Sequence, residues 1–171
     1  RFGKQKAKVI TSFSMFYDLE DPCEFAKQVK ECLSSDGIWV LEQSYMPEMI
    51  RVNSFDTVCH EHLSYYGMRQ LKYIMDKAGF NIVDFEFNDV NGGSISVVVS
   101  PSKPECTTKL TALLSLELEE ELDTIKPWEE FASRMTDNNH KFSKMVRDLR
   151  DEGYKVAGLG ASTKGNVTLQ T

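Results

Sequence analysis

A chain of 171 residues, 41% of them apolar, has material for one ordinary folded domain or for one domain and part of another. Its net charge of −6, with acidic and basic residues interspersed and no basic stripe, excludes binding along a nucleic-acid backbone, and no apolar run approaches the roughly 18 residues of a membrane span. No signal-peptide pattern opens the chain, and Cys23, Cys32, Cys59 and Cys106 show no CxxC pairing or regular spacing, so the expectation is a cytoplasmic protein with reduced thiols.

After a short basic stretch, residues 8–13 carry the pattern of a buried strand. Asp21-Pro22-Cys23-Glu24 then supplies a helix start, with Asp21 as N-cap, Pro22 at the first helical position and Glu24 where a capping box wants a carboxylate. This helix is predicted to bury Phe25, Val29 and Leu33 and to end at Ser34-Ser35-Asp36-Gly37. Ile38-Trp39-Val40-Leu41 follows as a short apolar strand buried on both faces. Strand, helix and strand at this spacing form a βαβ unit with parallel strands and a right-handed crossover. A second helix is predicted over 68–78, with Leu71, Ile74, Met75 and Ala78 inward and Gly79 as its left-handed stop. Residues 81–87 and 94–99 read as strands joined through the glycine-rich connection at 88–93. That hairpin makes the last strand antiparallel to its neighbours.

A boundary falls at 101–104, between two prolines, and beyond it the pattern turns helical. One helix is expected over 107–121, on Leu110, Leu113, Leu114 and Leu118. A longer one, entered at Pro127, carries a stripe of Trp128, Phe131, Met135, Phe142, Met145 and Leu149 and is closed by Gly153. The acidic run at 117–123 reads as a solvated face. A further strand is predicted over 154–159, and the loop at 160–166 after it should open a helix. Both ends of the chain read as cut.

Chemistry concentrates in Asp56-Thr57-Val58-Cys59-His60-Glu61-His62-Leu63-Ser64-Tyr65-Tyr66, which holds two of the three histidines and lies beyond the carboxyl ends of the parallel strands, where open α/β sheets bind ligands. Metal binding is disfavoured because the Cys-His-Glu-His spacing matches no usual zinc pattern and a further ligand would have to come from afar. A Cys59 nucleophile lacks any local signature. The stronger reading is general acid/base work, with His62 as base, Glu61 orienting it or stabilising an imidazolium, and Tyr65 and Tyr66 holding a substrate. The same histidines and tyrosines are also compatible with a packed interior. The second motif, Gly158-Leu159-Gly160-Ala161-Ser162-Thr163-Lys164-Gly165, is either a phosphate cradle or a plain strand-to-helix turn. It departs from the P-loop, where Ser or Thr would follow Gly-Lys, and from the dinucleotide fingerprint, where glycine would replace Thr163.

Three pieces together are more specific. Phe55 through Tyr66, then Asn91-Gly92-Gly93-Ser94, then Gly160-Ala161-Ser162-Thr163-Lys164-Gly165-Asn166 make the sequence resemble the S-adenosylmethionine-dependent C-methyltransferase family that includes the sugar C-methyltransferases of deoxysugar biosynthesis. The resemblance spans essentially the whole chain. It implies an α/β fold: a partial class I methyltransferase (Rossmann-like) sheet with an antiparallel last strand over 1–100, a helical connector over 101–153, and the first strand of a second α/β domain over 154–171. It also implies His62 as general base assisted by Glu61, and a nucleotide-linked ketosugar as substrate, contacted by His60, Tyr65, Tyr66, Asn91, Gly160, Ala161, Ser162, Thr163, Lys164 and Asn166. The cofactor implied is S-adenosylmethionine, touched here by Ser14, Met15 and Phe16. The family's main cofactor loop, and the small domain that carries its zinc, would lie upstream of Arg1, so this piece alone is expected to be inactive and to self-associate through an exposed sheet edge. Where sugar-modifying members often have a tyrosine, this chain has Cys59. O- or N-methyl transfer on the same fold, or a non-catalytic nucleotide- or metal-binding module, are the alternatives.

Overall fold

Strand, helix and strand follow one another at the start of the computed structural model, which describes residues 5–160 and 162–170. β1 (Ala7–Phe13) and β2 (Leu33–Ser44) pair in parallel, from Val9 opposite Ile38 to Phe13 opposite Glu42, and α1 (Pro22–Cys32) crosses between them. The Asp21 carboxylate accepts from the Glu24 amide at 2.8 Å, the predicted cap. The predicted helix stop takes another form. α1 passes into β2 without a loop because Leu33 is held in the core, and Ser34–Gly37 bulges outward: Ala7 pairs with Leu33, but Val9 pairs with Ile38. A side chain at Gly37 would lie 2.8 Å from Leu33 Cγ and 3.0 Å from the Lys8 carbonyl, so the bulge closes tightly only on glycine.

β3 (Asn81–Asn88) and β4 (Ser94–Ser100) form the expected hairpin. β4 inserts between β2 and β3 and runs antiparallel to both, giving the order β1-β2-β4-β3. α3 (Met68–Ala78) ends at Gly79, whose φ of 75° is the left-handed stop read from the sequence. Leu71, Ile74 and Met75 of α3 and Ala26 and Val29 of α1 pack with Trp39, Leu41, Ile82, Ile95, Val97 and Val99 of one sheet face to make the main core. The opposite face is open: Val9 is 57% and Phe13 55% exposed.

α2 (Met46–Arg51) leaves the end of β2, and a 3-10 turn at Phe55–Thr57 follows it. α4 (Thr107–Glu119) adds Leu110 to the main core. α5 (Lys126–Asp151) seats Phe131 and Trp128 against Met46, Met49 and Ile50. Only this first part of its predicted stripe is covered; Phe142 and Met145 face solvent. The strand predicted over 154–159 does not form. A strand needs a neighbour to take its N–H and C=O groups, and among the described residues none lies beside this segment, whose side chains are all exposed. The helix after the glycine loop is present as α6 (Thr163–Gln170). No helix among the described residues is long and apolar enough to cross a membrane.

Candidate active site

The carboxyl ends of β1 and β2 build the site. After β1 the chain reverses at Ser14, in the left-handed region (φ 52°), and the Ser14 amide donates to the Glu42 carbonyl at 2.9 Å. A 3-10 turn at Phe16–Asp18 then sends consecutive side chains in different directions. Phe16 points into the core, its ring 5.8 Å from Trp39 and 5.6 Å from Tyr66, and Met15 packs against the core partly buried, so only Ser14 of the three residues expected at the cofactor rim is exposed. Tyr17 stays at the edge of the core.

The segment carrying the histidines is tied down at its C-terminal end by backbone bonds. The Leu63 and Ser64 amides both donate to the Tyr17 carbonyl, at 2.9 and 3.1 Å, and the Met46 amide donates to the Tyr66 carbonyl at 2.9 Å. Just before these ties the His62 ring, half-buried, packs on the Tyr17 ring at 4.2 Å between centroids, with Tyr65 6.4 Å away. These rings, with Thr57 and Ser64, border a recess of about 10 Å³, room for about one water. Burial pushes the phenols of Tyr17 and Tyr65 above their ordinary value, so both remain donors at neutral pH. Tyr66 is a core residue, its hydroxyl buried without a hydrogen-bond partner, and this removes it from the substrate-facing surface expected for it.

Glu61 turns to His60 and the glycine loop. Its carboxylate lies 4.0 Å from Nε2 of the exposed His60 and accepts from the Thr163 hydroxyl at 3.3 Å. That second contact brings the glycine loop to the histidine segment across 102 residues of sequence. In the loop, Gly160 has φ 145°, Ser162 accepts the Gly165 amide at 3.1 Å and so caps α6, Thr163 and Lys164 are half-buried, and Asn166 is exposed. Ala161 lies outside the described residues.

Asn91 is elsewhere. It sits exposed at the β3–β4 hairpin with Gly92 and Gly93, all three at positive φ, and a side chain at Gly93 would collide with Glu48. Gly92 and Gly93 border a cavity of about 750 Å³, walled also by Tyr45, Phe87 and Leu113. Glu48, Asp89, Glu117 and Glu120 line it against the single cation Arg51, which pairs with Glu48 and with Glu120. Such a lining repels phosphates.

The sequence reading passed over two residues. The solvated face expected of the acidic run does not include Glu117, which is 7% exposed: its carboxylate accepts from the Tyr45 hydroxyl and the Met68 amide, both at 2.6 Å, and from the Arg69 amide at 3.0 Å. The available signal was spacing, since Leu110, Leu113, Leu114 and Glu117 share one helical stripe. Tyr17 was not singled out either; its place just past the first rim strand was the clue. Among the described residues no three His, Cys, Asp or Glu side chains converge as metal ligands.

Comparison with known proteins agrees in two halves. Residues 1–84 match the model of a methyltransferase domain and residues 89–171 that of a C-methyltransferase C-terminal domain. The chain is 31% identical over 165 residues to C-methyltransferase NovU of Streptomyces niveus, covering 95% of this chain and 39% of that protein's length. Among solved structures, LepI in complex with SAM (16% identity, 56% of this chain and 26% of that one, TM-score 0.47) and the methyltransferase CalO6 (17% identity, 57% and 36%, TM-score 0.47) are similar in part. Both halves are matched in the same order, so the chain resembles C-methyltransferases along nearly its whole length.

Proposed function

We propose that this chain is part of an enzyme that transfers a methyl group from S-adenosylmethionine to a carbon next to a ketone, on a nucleotide-linked sugar, with His62 as general base. The observation that carries this reading is the half-buried His62 ring, fixed at the carboxyl rim of a parallel strand pair by two bonds to the Tyr17 carbonyl and flanked by protonated phenols. Imidazoles in water titrate near pH 6.5, far below the acidity of a C–H beside a carbonyl. The developing enolate oxygen therefore needs donors in a site from which water is excluded. Tyr65 is one such donor. His62 takes the proton from carbon, the electron pair passes into the enolate, and the imidazolium later returns the proton to solvent. S-adenosylmethionine, when bound, would supply the electrophilic sulfonium methyl for that carbon, with its thioether as the leaving group. In this chain the exposed Ser14 would line that side, with the partly buried Met15 beside it.

The Thr163–Glu61 contact supports a single substrate spanning both motifs, with its diphosphate at the glycine loop beside Lys164 and its sugar at His62. The acidic cavity at the hairpin favours neither end of such a substrate, which leaves Asn91 to shape the turn. In the intact enzyme His62→Ala should abolish both turnover and exchange of the acidic substrate proton into deuterated water; undiminished exchange in that variant overturns the assignment. An O- or N-methyl product, with no exchanging carbon-bound proton, would replace the reaction class. As for association, β1 is the edge of the sheet, and its free backbone groups should make the 171-residue chain self-associate. Sedimentation as a monomer at all concentrations would contradict that.

A further inference from the structure

Resting on the reading of His62 as base, we propose that Tyr17 supplies the working phenol of this site: its ring backs the imidazole, and its hydroxyl donates to the acceptor's carbonyl oxygen as His62 removes the neighbouring proton. Four observations converge on it. The Tyr17 and His62 rings are in direct contact, 4.2 Å between centroids and tilted by 47°, so the two side chains share one wall of the recess. The Tyr17 carbonyl holds the two amides that follow His62, which makes the position of the ring and the position of the imidazole one geometric unit. The hydroxyl end lies within hydrogen-bonding reach of Ser14 and near Cys59 and Glu42, at the rim where β1 and β2 end. Of the other hydroxyls there, Thr57 donates to the Ser54 carbonyl at 2.7 Å and Tyr65 reaches toward the Thr57 carbonyl at 3.5 Å.

Burial, with Asp18, Cys59 and Glu42 acting in the same direction, holds the Tyr17 phenol above its ordinary value. The hydroxyl is therefore a donor across the neutral range and does not compete with His62 for the role of base. Cys59 stands within electrostatic reach of both Tyr17 and Tyr65 and, as a thiol, is a poor hydrogen-bond donor. A phenol reaching the recess from position 17 does what a side chain at position 59 of this chain cannot.

The test is Tyr17→Phe in the intact enzyme, which keeps the ring against His62 and removes only the hydroxyl. Turnover should fall about 10²-fold with KM little changed, and exchange of the substrate's acidic proton should fall in parallel. Adding Cys59→Tyr to that variant should restore at least part of the lost exchange by bringing a phenol in from the other side. Turnover and exchange within twofold of the parent, measured where His62→Ala is dead, would overturn the proposal and leave the base assignment intact. A loss confined to KM, with exchange unaltered, would make Tyr17 a packing residue and overturn it as well. If His62→Ala itself exchanges normally, the underlying reading fails first, and the two failures are told apart.

Discussion

Two helix starts flank the candidate site, and they are finished in opposite ways. α3 begins with its first two amides bonded to the Glu117 carboxylate, brought in from α4 nearly fifty residues away and buried. Gly67 leaves room for it: a side chain there would stand 3.0 Å from Glu117 Oε1. α6 begins with the hydroxyl of Ser162, three residues from the amide it accepts, in an exposed loop. A helix start attracts anions because its free amides and the aligned peptide dipoles present positive charge. At α3 that attraction is satisfied by a buried carboxylate bonded directly to the amides, whereas at α6 a neutral hydroxyl covers one amide and the Glu61 carboxylate reaches only the Thr163 hydroxyl. The diphosphate proposed at the glycine loop would meet this second start, with Glu61 beside it.

Breaking the comparison at its strong end should have the largest effect. Glu117→Leu strands two helix amides and the Tyr45 hydroxyl in a dry interior and should lower stability by about 3 kcal/mol, read as a fall in the denaturation midpoint at unchanged slope. A variant as stable as the parent would show that water replaces the carboxylate. Tyr45→Phe removes one of the three donors and should cost about 1 kcal/mol. It carries a pH signature as well: burial, and then donation to Glu117, raise the Tyr45 phenol far above its usual range. In the unfolded chain that phenol ionises near pH 10 while in the folded chain it does not, so the stabilisation is complete below that pH and is lost as pH rises through and beyond it. The Phe variant should flatten the alkaline limb of the stability curve. At the weak end, Ser162→Ala should cost about 0.5–1 kcal/mol, confined to α6. Amide exchange should quicken there and leave α3 untouched; a global loss would mean that α6 is integral to the core.

The same contrast shows what was legible in the sequence. Local signals suffice for the Asp21 cap, the Gly79 stop and the hairpin over 88–93 with its antiparallel last strand, all of which follow from neighbouring residues. The chemistry of Ser162 beside a helix was equally local. Glu117 and Tyr17 were not, because each acts through a partner that only the folded chain brings near, and a carboxylate inside an acidic run looks like solvent exposure unless its place on the leucine stripe is weighed. The segment at 154–159 failed for the converse reason. Its pattern suits a strand, but a strand is a property of two segments, and no second segment stands beside it among the described residues. At the site, the histidine segment and the glycine loop were each recognisable alone; that Thr163 reaches Glu61 was not.

The junction where α1 runs into β2 sets a rule for editing this chain. A residue added between Leu33 and Gly37 enters a stretch that already departs from regular pairing, so it lengthens the bulge and leaves the register beyond it unchanged. The same addition one step past Ile38 would reverse the alternation and turn Trp39 and Leu41 to solvent while driving Glu42 inward. Insertions for labels or linkers therefore belong before Gly37, and a length change beyond Ile38 would carry the histidine segment out of register with Tyr17.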